Sequence, residues 1–240
     1  MLNYDPMYLV CMIPAFILMA LSSFYVKATY SKWGRVGARS GLTGAQAAAR
    51  LVSSASIATA TGGGLRDVQI AGVGGNLSDH YDPRNKTLYL SPSVANGASV
   101  ASLAVAAHEL GHAVQHAEDY FPLRLRSVLV PMVNIGSSLG WILILAGLLL
   151  QLTGLAWLGV IAFSGGALFA LATLPVELNA SQRAKQLLAQ SGIIQGDEEM
   201  RGVNSVLTAA ALTYVAGLLT AVLQLLYYVM LVGGIGRRRD

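Results

Sequence analysis

Residues 7–26 form a stretch of 20 residues without a charge. As an α-helix that stretch is about 30 Å long, the thickness of the hydrocarbon core of a bilayer. Three more apolar runs follow, at 127–150, 155–174 and 206–232. A backbone in hydrocarbon must satisfy its own polar groups, so runs of this length are expected to be helices. Composition points the same way. Only 12% of the residues are charged, against about 25% in an average soluble domain.

The first run reads as an uncleaved anchor rather than a signal peptide. The residues ahead of it include Asp5 and no Lys or Arg, whereas a signal peptide begins with a basic region. Lys27, Lys32, Arg35 and Arg39 follow directly. Positive charge favours the cytoplasmic side, so the N-terminus is expected outside. Four spans then put segments 27–126 and 175–205 together on the cytoplasmic side, with 10 and 3 of the 16 Lys and Arg residues. Arg237, Arg238 and Arg239 would lie outside, against the rule. Either the tail is an exception or the last run, 27 residues long, does not fully cross. The net charge of +4 sits in short clusters beside apolar runs, which fits membrane topology and not nucleic-acid binding.

The polar segment has its own pattern. Residues 44–60 are rich in Ala and predict a helix with Thr43 as N-cap, ended by Gly62, Gly63 and Gly64. Residues 68–73 predict a short strand. Residues 77–91 predict a hairpin that turns at Asp82-Pro83-Arg84-Asn85, where Asp and Pro suit the first two positions of a turn. Residues 98–119 predict the next helix. Pro175 closes the third apolar run, and a polar helix over 176–190 stops at Ser191-Gly192. A last helix is expected to start near Glu198.

The helix at 98–119 carries His-Glu-Leu-Gly-His at 108–112. His108 and His112 are four residues apart, so both rings lie on one face, about one turn apart. Two imidazole nitrogens can then reach one zinc ion. Glu109 sits about 100° round the helix, where its carboxylate can take a proton from a zinc-activated water. This is the HExxH pattern of zinc peptidases. Small residues surround it: Ala104, Ala106, Ala107, Gly111 and Ala113. They leave room for a second helix bearing another ligand. A chance match on an amphipathic helix is the competing reading.

The single cysteine, Cys11, excludes both an internal disulfide and a Cys-rich metal site. The third ligand must come from elsewhere, and three residues compete. His116 lies about 12 Å along a straight helix from His108, too far to share the ion. His80 is otherwise a hydrogen-bonded turn residue, and Asp79 and Asp82 have turn roles of their own. Glu177 is favoured. It is the only acidic residue between Asp119 and Asp197, and it emerges on the same side as the motif helix. A place at a helix start would by itself also explain a carboxylate there.

Several blocks together resemble the neutral zinc metallopeptidases of the YugP-like family. They are Gly41-Leu42-Thr43-Gly44, Asp79-His80-Tyr81-Asp82-Pro83, residues 106–115, Pro175-Val176-Glu177 and residues 210–216. The resemblance covers nearly the whole chain. The layout is also similar to the heat-shock membrane zinc peptidases and the CAAX prenyl proteases, which place a membrane hairpin between the HExxH helix and a Glu-x-x-Ala-Asp helix. Glu177 and Ala180 match that second motif, whereas Ser181 stands at the Asp position. In such enzymes that Asp is expected to support a metal-binding His, and Asn179 is the neighbouring polar residue that could replace it. The resemblance also implies that the hairpin strand offers its edge to an extended peptide. His80 or Tyr81 would then approach the substrate or its oxyanion.

The expected fold is a mainly α membrane protein, with about four transmembrane helices and a small α+β zincin-like catalytic domain with a short β-hairpin or sheet. Its parts are an anchor (1–26), a catalytic domain (27–126), a transmembrane hairpin (127–174), catalytic helices with the third ligand (175–205), and a last transmembrane helix with a basic tail (206–240). The expected activity is that of a gluzincin-like zinc metalloendopeptidase in a bacterial cell membrane. One zinc ion is held by His108, His112 and Glu177, with Glu109 as general base. The partners are the lipid bilayer and a protein or peptide substrate. The alternatives are a non-catalytic zinc-binding scaffold on a protease fold and an intramembrane protease.

Overall fold

The apolar runs and their polar continuations fold into long helices, because nothing in them interrupts the backbone ladder for more than a turn. The computed structural model describes residues 6–54 and 65–236. In chain order the elements are α1 (Pro6–Gly34), α2 (Gly44–Ser53), β1 (Gln69–Gly72), β2 (His80–Asp82), β3 (Thr87–Leu90), the single turn α3 (Pro92–Ala95), α4 (Val100–Ala117), α5 (Phe121–Leu149), α6 (Thr153–Gln190) and α7 (Gly196–Gly236).

The chain divides into two units. The first comprises residues 1–23, 124–175 and 213–240. Helices α1, α6 and α7 are long and apolar enough to cross a membrane. Helix α5 makes a fourth candidate if its two parts, Phe121–Pro131 and Val133–Leu149, bent by 45°, count as one span. Proline lacks the N–H that the ladder needs, so Pro131 accounts for the bend. Phe16, Ile135 and Ile161 are 69%, 68% and 66% exposed, a cost in water that lipid removes. Inside the unit Ile144, Ala156, Val160 and Val232 are buried together. Phe163 meets Tyr228 edge to face at 5.0 Å. Helices α5 and α6 approach closely where small residues face each other, as at Gly140 with Gly159.

The second unit comprises residues 24–123 and 176–212. Its sheet has the order β1-β3-β2. β1 runs parallel to β3, with Gln69 opposite Thr87, and β2 runs antiparallel, with His80 opposite Tyr89. Leu88 and Leu90 of β3 are buried with Leu51, Val94, Leu103, Leu110 and Leu188 in one core. Asp82 accepts a hydrogen bond from the Arg84 amide at 2.9 Å and shapes the turn.

The helix ends follow local chemistry. Thr43 and Gln46 cap α2 reciprocally, side chain to backbone in both directions. The helix closes at Ser53, with Ser54 extended, earlier than the expected 60. Residues 55–64, with the three glycines, lie outside the described residues. Ser99 caps α4. At its far end Asp119 takes a positive φ of 55°, and the amides of Asp119 and Tyr120 close on the carbonyls of His116 and Gln115.

One expectation needs correction. Pro175 does not end a helix; it lies inside α6. Glu177 therefore sits in mid-helix, and the helix-dipole reason for a carboxylate there falls away. The last helix begins close to the expected Glu198: α7 starts at Gly196 and runs without a break through its apolar part. Arg237, Arg238 and Arg239 lie outside the described residues.

Two contacts hold the second unit in shape. At Gly111 an added methyl group would collide with the backbone carbonyl of Ala180, so α4 and α6 touch backbone to backbone. Glu199, 2% exposed, accepts hydrogen bonds from the amides of Arg39 and Gln195, both at 2.6 Å. It ties the start of α7 to the loop between α1 and α2.

Gly111→Ala should destabilise the protein by about 1–3 kcal/mol, the usual cost of overpacking. Glu199→Ala should cost about 2 kcal/mol or more, because two backbone amides lose their charged acceptor. Thermal unfolding in detergent measures both, and a melting temperature equal to that of the parent would contradict either account.

Candidate metal centre

The motif helix α4 is buried on nearly every side, and α6 packs against it at Gly111. One turn of α6 away from Ala180 is Glu177, 2% exposed. Its Oε2 lies 3.3 Å from His108 Nε2 and 3.4 Å from His112 Nε2. The two imidazole rings meet nearly perpendicular, with centroids 4.9 Å apart. Donor atoms of these three residues all fall within 4.8 Å of one another. Among the described residues no other His, Cys, Asp or Glu joins the group.

These separations test whether zinc fits. With metal–ligand bonds of about 2.0–2.2 Å, neighbouring donors of a tetrahedral zinc site are about 3.3–3.5 Å apart. The His-to-carboxylate separations of 3.3 and 3.4 Å match that edge. Two neutral imidazoles and one carboxylate are also the donor set of catalytic zinc sites that leave a fourth position open.

The protonation landscape is steep. Burial alone would raise the Glu177 carboxyl, but hydrogen bonds and charge from His108 and His112 outweigh it and hold it well below the usual carboxylate range. Burial likewise pulls His112 down, yet its bond to Glu177 and the charges of Glu109 and Glu177 leave it raised. Glu109 is pushed up, chiefly by burial. Both histidines oppose that shift, and Glu177 and Asp79 reinforce it. Two carboxyl groups that feel each other's charge are thus driven in opposite directions, a common feature of acid–base sites.

Neighbours fix both rings. Ser181 Oγ lies 3.2 Å from His108 Nδ1. The position at which an Asp was expected therefore still supports a histidine, through a neutral hydroxyl. Asn179 does not take that role. It belongs to a second set around His112, whose Nδ1 is 3.0 Å from Gln115 Oε1. Gln115 was not singled out from the sequence. The available signal was an amide three residues after His112, on the same face of a helix otherwise lined with small apolar residues.

The other candidates lie outside the donor group. His116 Nδ1 is 2.9 Å from the Tyr81 hydroxyl. The exposed His80 stacks on Tyr89 at 4.9 Å and hydrogen-bonds the Ser78 carbonyl at 2.9 Å. Burial, then the charge of Asp82, push the Tyr81 phenol up to about 12, so it stays protonated at neutral pH. Asp79 accepts from the amide and hydroxyl of Ser91 at 2.7 and 2.9 Å and pins the approach to β2.

The family model described as "putative neutral zinc metallopeptidase" matches residues 8–233. The chain belongs to this family. It is also 45% identical over 210 residues to "Putative membrane protease YugP" of Bacillus subtilis (strain 168), covering 88% of this chain and 89% of that relative. No solved structure matches it. Membership makes zinc the implied metal of the His108, His112 and Glu177 group, and the apolar helices fit a membrane protein.

Glu177→Ala should weaken zinc binding by more than the roughly 10–100-fold that changes around a metal site cost. His80→Ala and His116→Ala should leave it unchanged. Competition with a chromophoric chelator reads all three, and an unchanged affinity in Glu177→Ala would remove it from the donor set.

Proposed function

We propose that this chain is a membrane-bound zinc endopeptidase that hydrolyses peptide bonds of membrane or membrane-associated proteins. The observation that carries the reading is the shared approach of two imidazole nitrogens to one buried carboxylate oxygen, at 3.3 and 3.4 Å, with Glu109 next to one of the histidines. His108, His112 and Glu177 would hold one zinc ion per chain. Zinc, when bound, supplies Lewis acidity that lowers the pKa of water and polarises a carbonyl.

The remaining steps belong to the protein's own groups. The Glu109 carboxylate takes a proton from the attacking water and delivers it to the leaving amine. Its raised pKa suits a group that must both accept and release a proton near neutral pH. The free side of β2, which pairs only with β3 among the described residues, suits an extended peptide bound by strand addition. His80 and Tyr81 lie on that strand and are the candidates to face the substrate. The protonated Tyr81 phenol is a hydrogen-bond donor of the kind an oxyanion needs. The distribution of Lys and Arg favours a catalytic unit on the cytoplasmic side of a bacterial membrane.

Glu109→Gln should retain about one zinc per chain and lose peptidase activity by roughly 10²–10⁴-fold, the range for a lost general base. Elemental analysis and cleavage of an unfolded membrane-protein substrate in detergent measure the two quantities. Undiminished cleavage by Glu109→Gln would sink this mechanism. Zinc without cleavage in the parent chain would favour the non-catalytic scaffold.

A further inference from the structure

Gln115 is fully buried and makes three hydrogen bonds. Its Oε1 faces His112 Nδ1 at 3.0 Å. Its Nε2 donates to the Val176 carbonyl at 2.8 Å and to Asn179 Oδ1 at 3.0 Å. Asn179 Oδ1 in turn accepts from Arg183 Nε at 2.7 Å. Arg183 is held at its other end by Glu118 at 2.7 Å, one residue beyond the end of α4.

The direction of every bond in this chain can be assigned. A guanidinium N–H only donates, so the Asn179 atom facing it must be the carbonyl oxygen. That oxygen can only accept, so the Gln115 atom facing it must be the amide nitrogen. The Val176 carbonyl imposes the same choice independently. Both protons of the Gln115 amide are then used, and its oxygen is what remains to face His112. An amide oxygen accepts, so His112 Nδ1 must carry the proton. In a neutral ring the lone pair then lies on Nε2, the atom 3.4 Å from Glu177 Oε2.

We infer that Gln115 is a positioning residue for the metal centre, and that the Arg183–Asn179–Gln115 chain selects the His112 tautomer whose Nε2 is free to bind zinc. The inference rests on the metal reading proposed above and adds what orients its second histidine. Both anchors of the amide lie on α6, the helix that carries Glu177. The same packing that delivers the carboxylate therefore also sets the imidazole. Ser181 serves the His108 ring from that helix through a single hydroxyl. His112 has an amide locked at both ends.

The test uses the full-length chain in detergent. Gln115→Met keeps the volume and removes the hydrogen bonds. It should raise the zinc dissociation constant by roughly 10–100-fold, the cost of losing an outer-shell partner, and shift the visible bands of the cobalt-substituted protein. Asn179 is only half-buried, so its variants keep the test available if Gln115→Met does not fold. Asn179→Leu should weaken zinc binding at the lower end of that range, about tenfold. Asn179→Asp preserves an acceptor toward both Gln115 and Arg183, and should stay within about threefold of the parent, well short of that loss. A purely structural role would lower the melting temperature of the metal-free protein without moving the cobalt spectrum. Parent-like zinc affinity and cobalt bands in Gln115→Met, or in Asn179→Leu if the former is unfolded, would overturn the inference. Absence of stoichiometric zinc in the parent chain would instead sink the metal reading itself.

Discussion

The contact between Gly111 and Ala180 sets the geometry of the second unit, which holds the candidate metal centre. Because Gly111 has no Cβ, the backbone of α4 can rest against the Ala180 carbonyl of α6. Each helix is internally rigid, so this one approach decides where every nearby side chain falls. Glu177 lies one turn before Ala180 and Ser181 directly after it. From there they reach opposite nitrogens of His108, at 3.3 Å for Nε2 and 3.2 Å for Nδ1. Leu103, Leu110 and Leu188, all fully buried, clamp the pair from the core side.

Burying two histidines and a carboxylate beside a second carboxyl group is expensive unless each polar atom has a partner. The unit meets that demand with short side chains and amides rather than with further charges. Ser181 takes one ring, Gln115 takes the other, and Val176 and Asn179 complete Gln115. The nearest cation of the set, Arg183, stays at the rim, paired with Glu118. Charge is thereby kept away from the imidazoles, whose lone pairs a metal requires. The buried carboxylate of Glu199 is handled differently, by two backbone amides. It fastens the helix start that completes the core.

The apolar unit follows another rule. In lipid no hydrophobic driving force draws helices together, so close packing has to supply the attraction. Gly140 and Gly159 bring the backbones of α5 and α6 near each other, and Phe163 and Tyr228 interlock. Large apolar side chains face outward, the reverse of a water-soluble bundle.

Much of this was legible in the sequence because the signals are local. Charge-free runs fix spans, since span length depends only on bilayer thickness and helical rise. The spacing of His108 and His112 fixes two donors on one helix face. The Thr43 cap and the Asp82-Pro83 turn depend on a few adjacent atoms. Glu177 was reachable by elimination, as the only acidic residue between Asp119 and Asp197. What only tertiary structure decided involves atoms far apart along the chain. Pro175 looked like a helix end, but its missing N–H did not stop α6, so Glu177 sits in mid-helix. Ser181 looked like a lost partner, but a hydroxyl suffices where the backbone comes this close. Gln115 carried no motif, and its meaning depends on Val176, 61 residues away. The sequence by itself determined the candidate spans and the donor types of the candidate metal centre. The fold decided which atoms face one another, because a hydrogen bond's partner is set by distance in space, not by spacing along the chain.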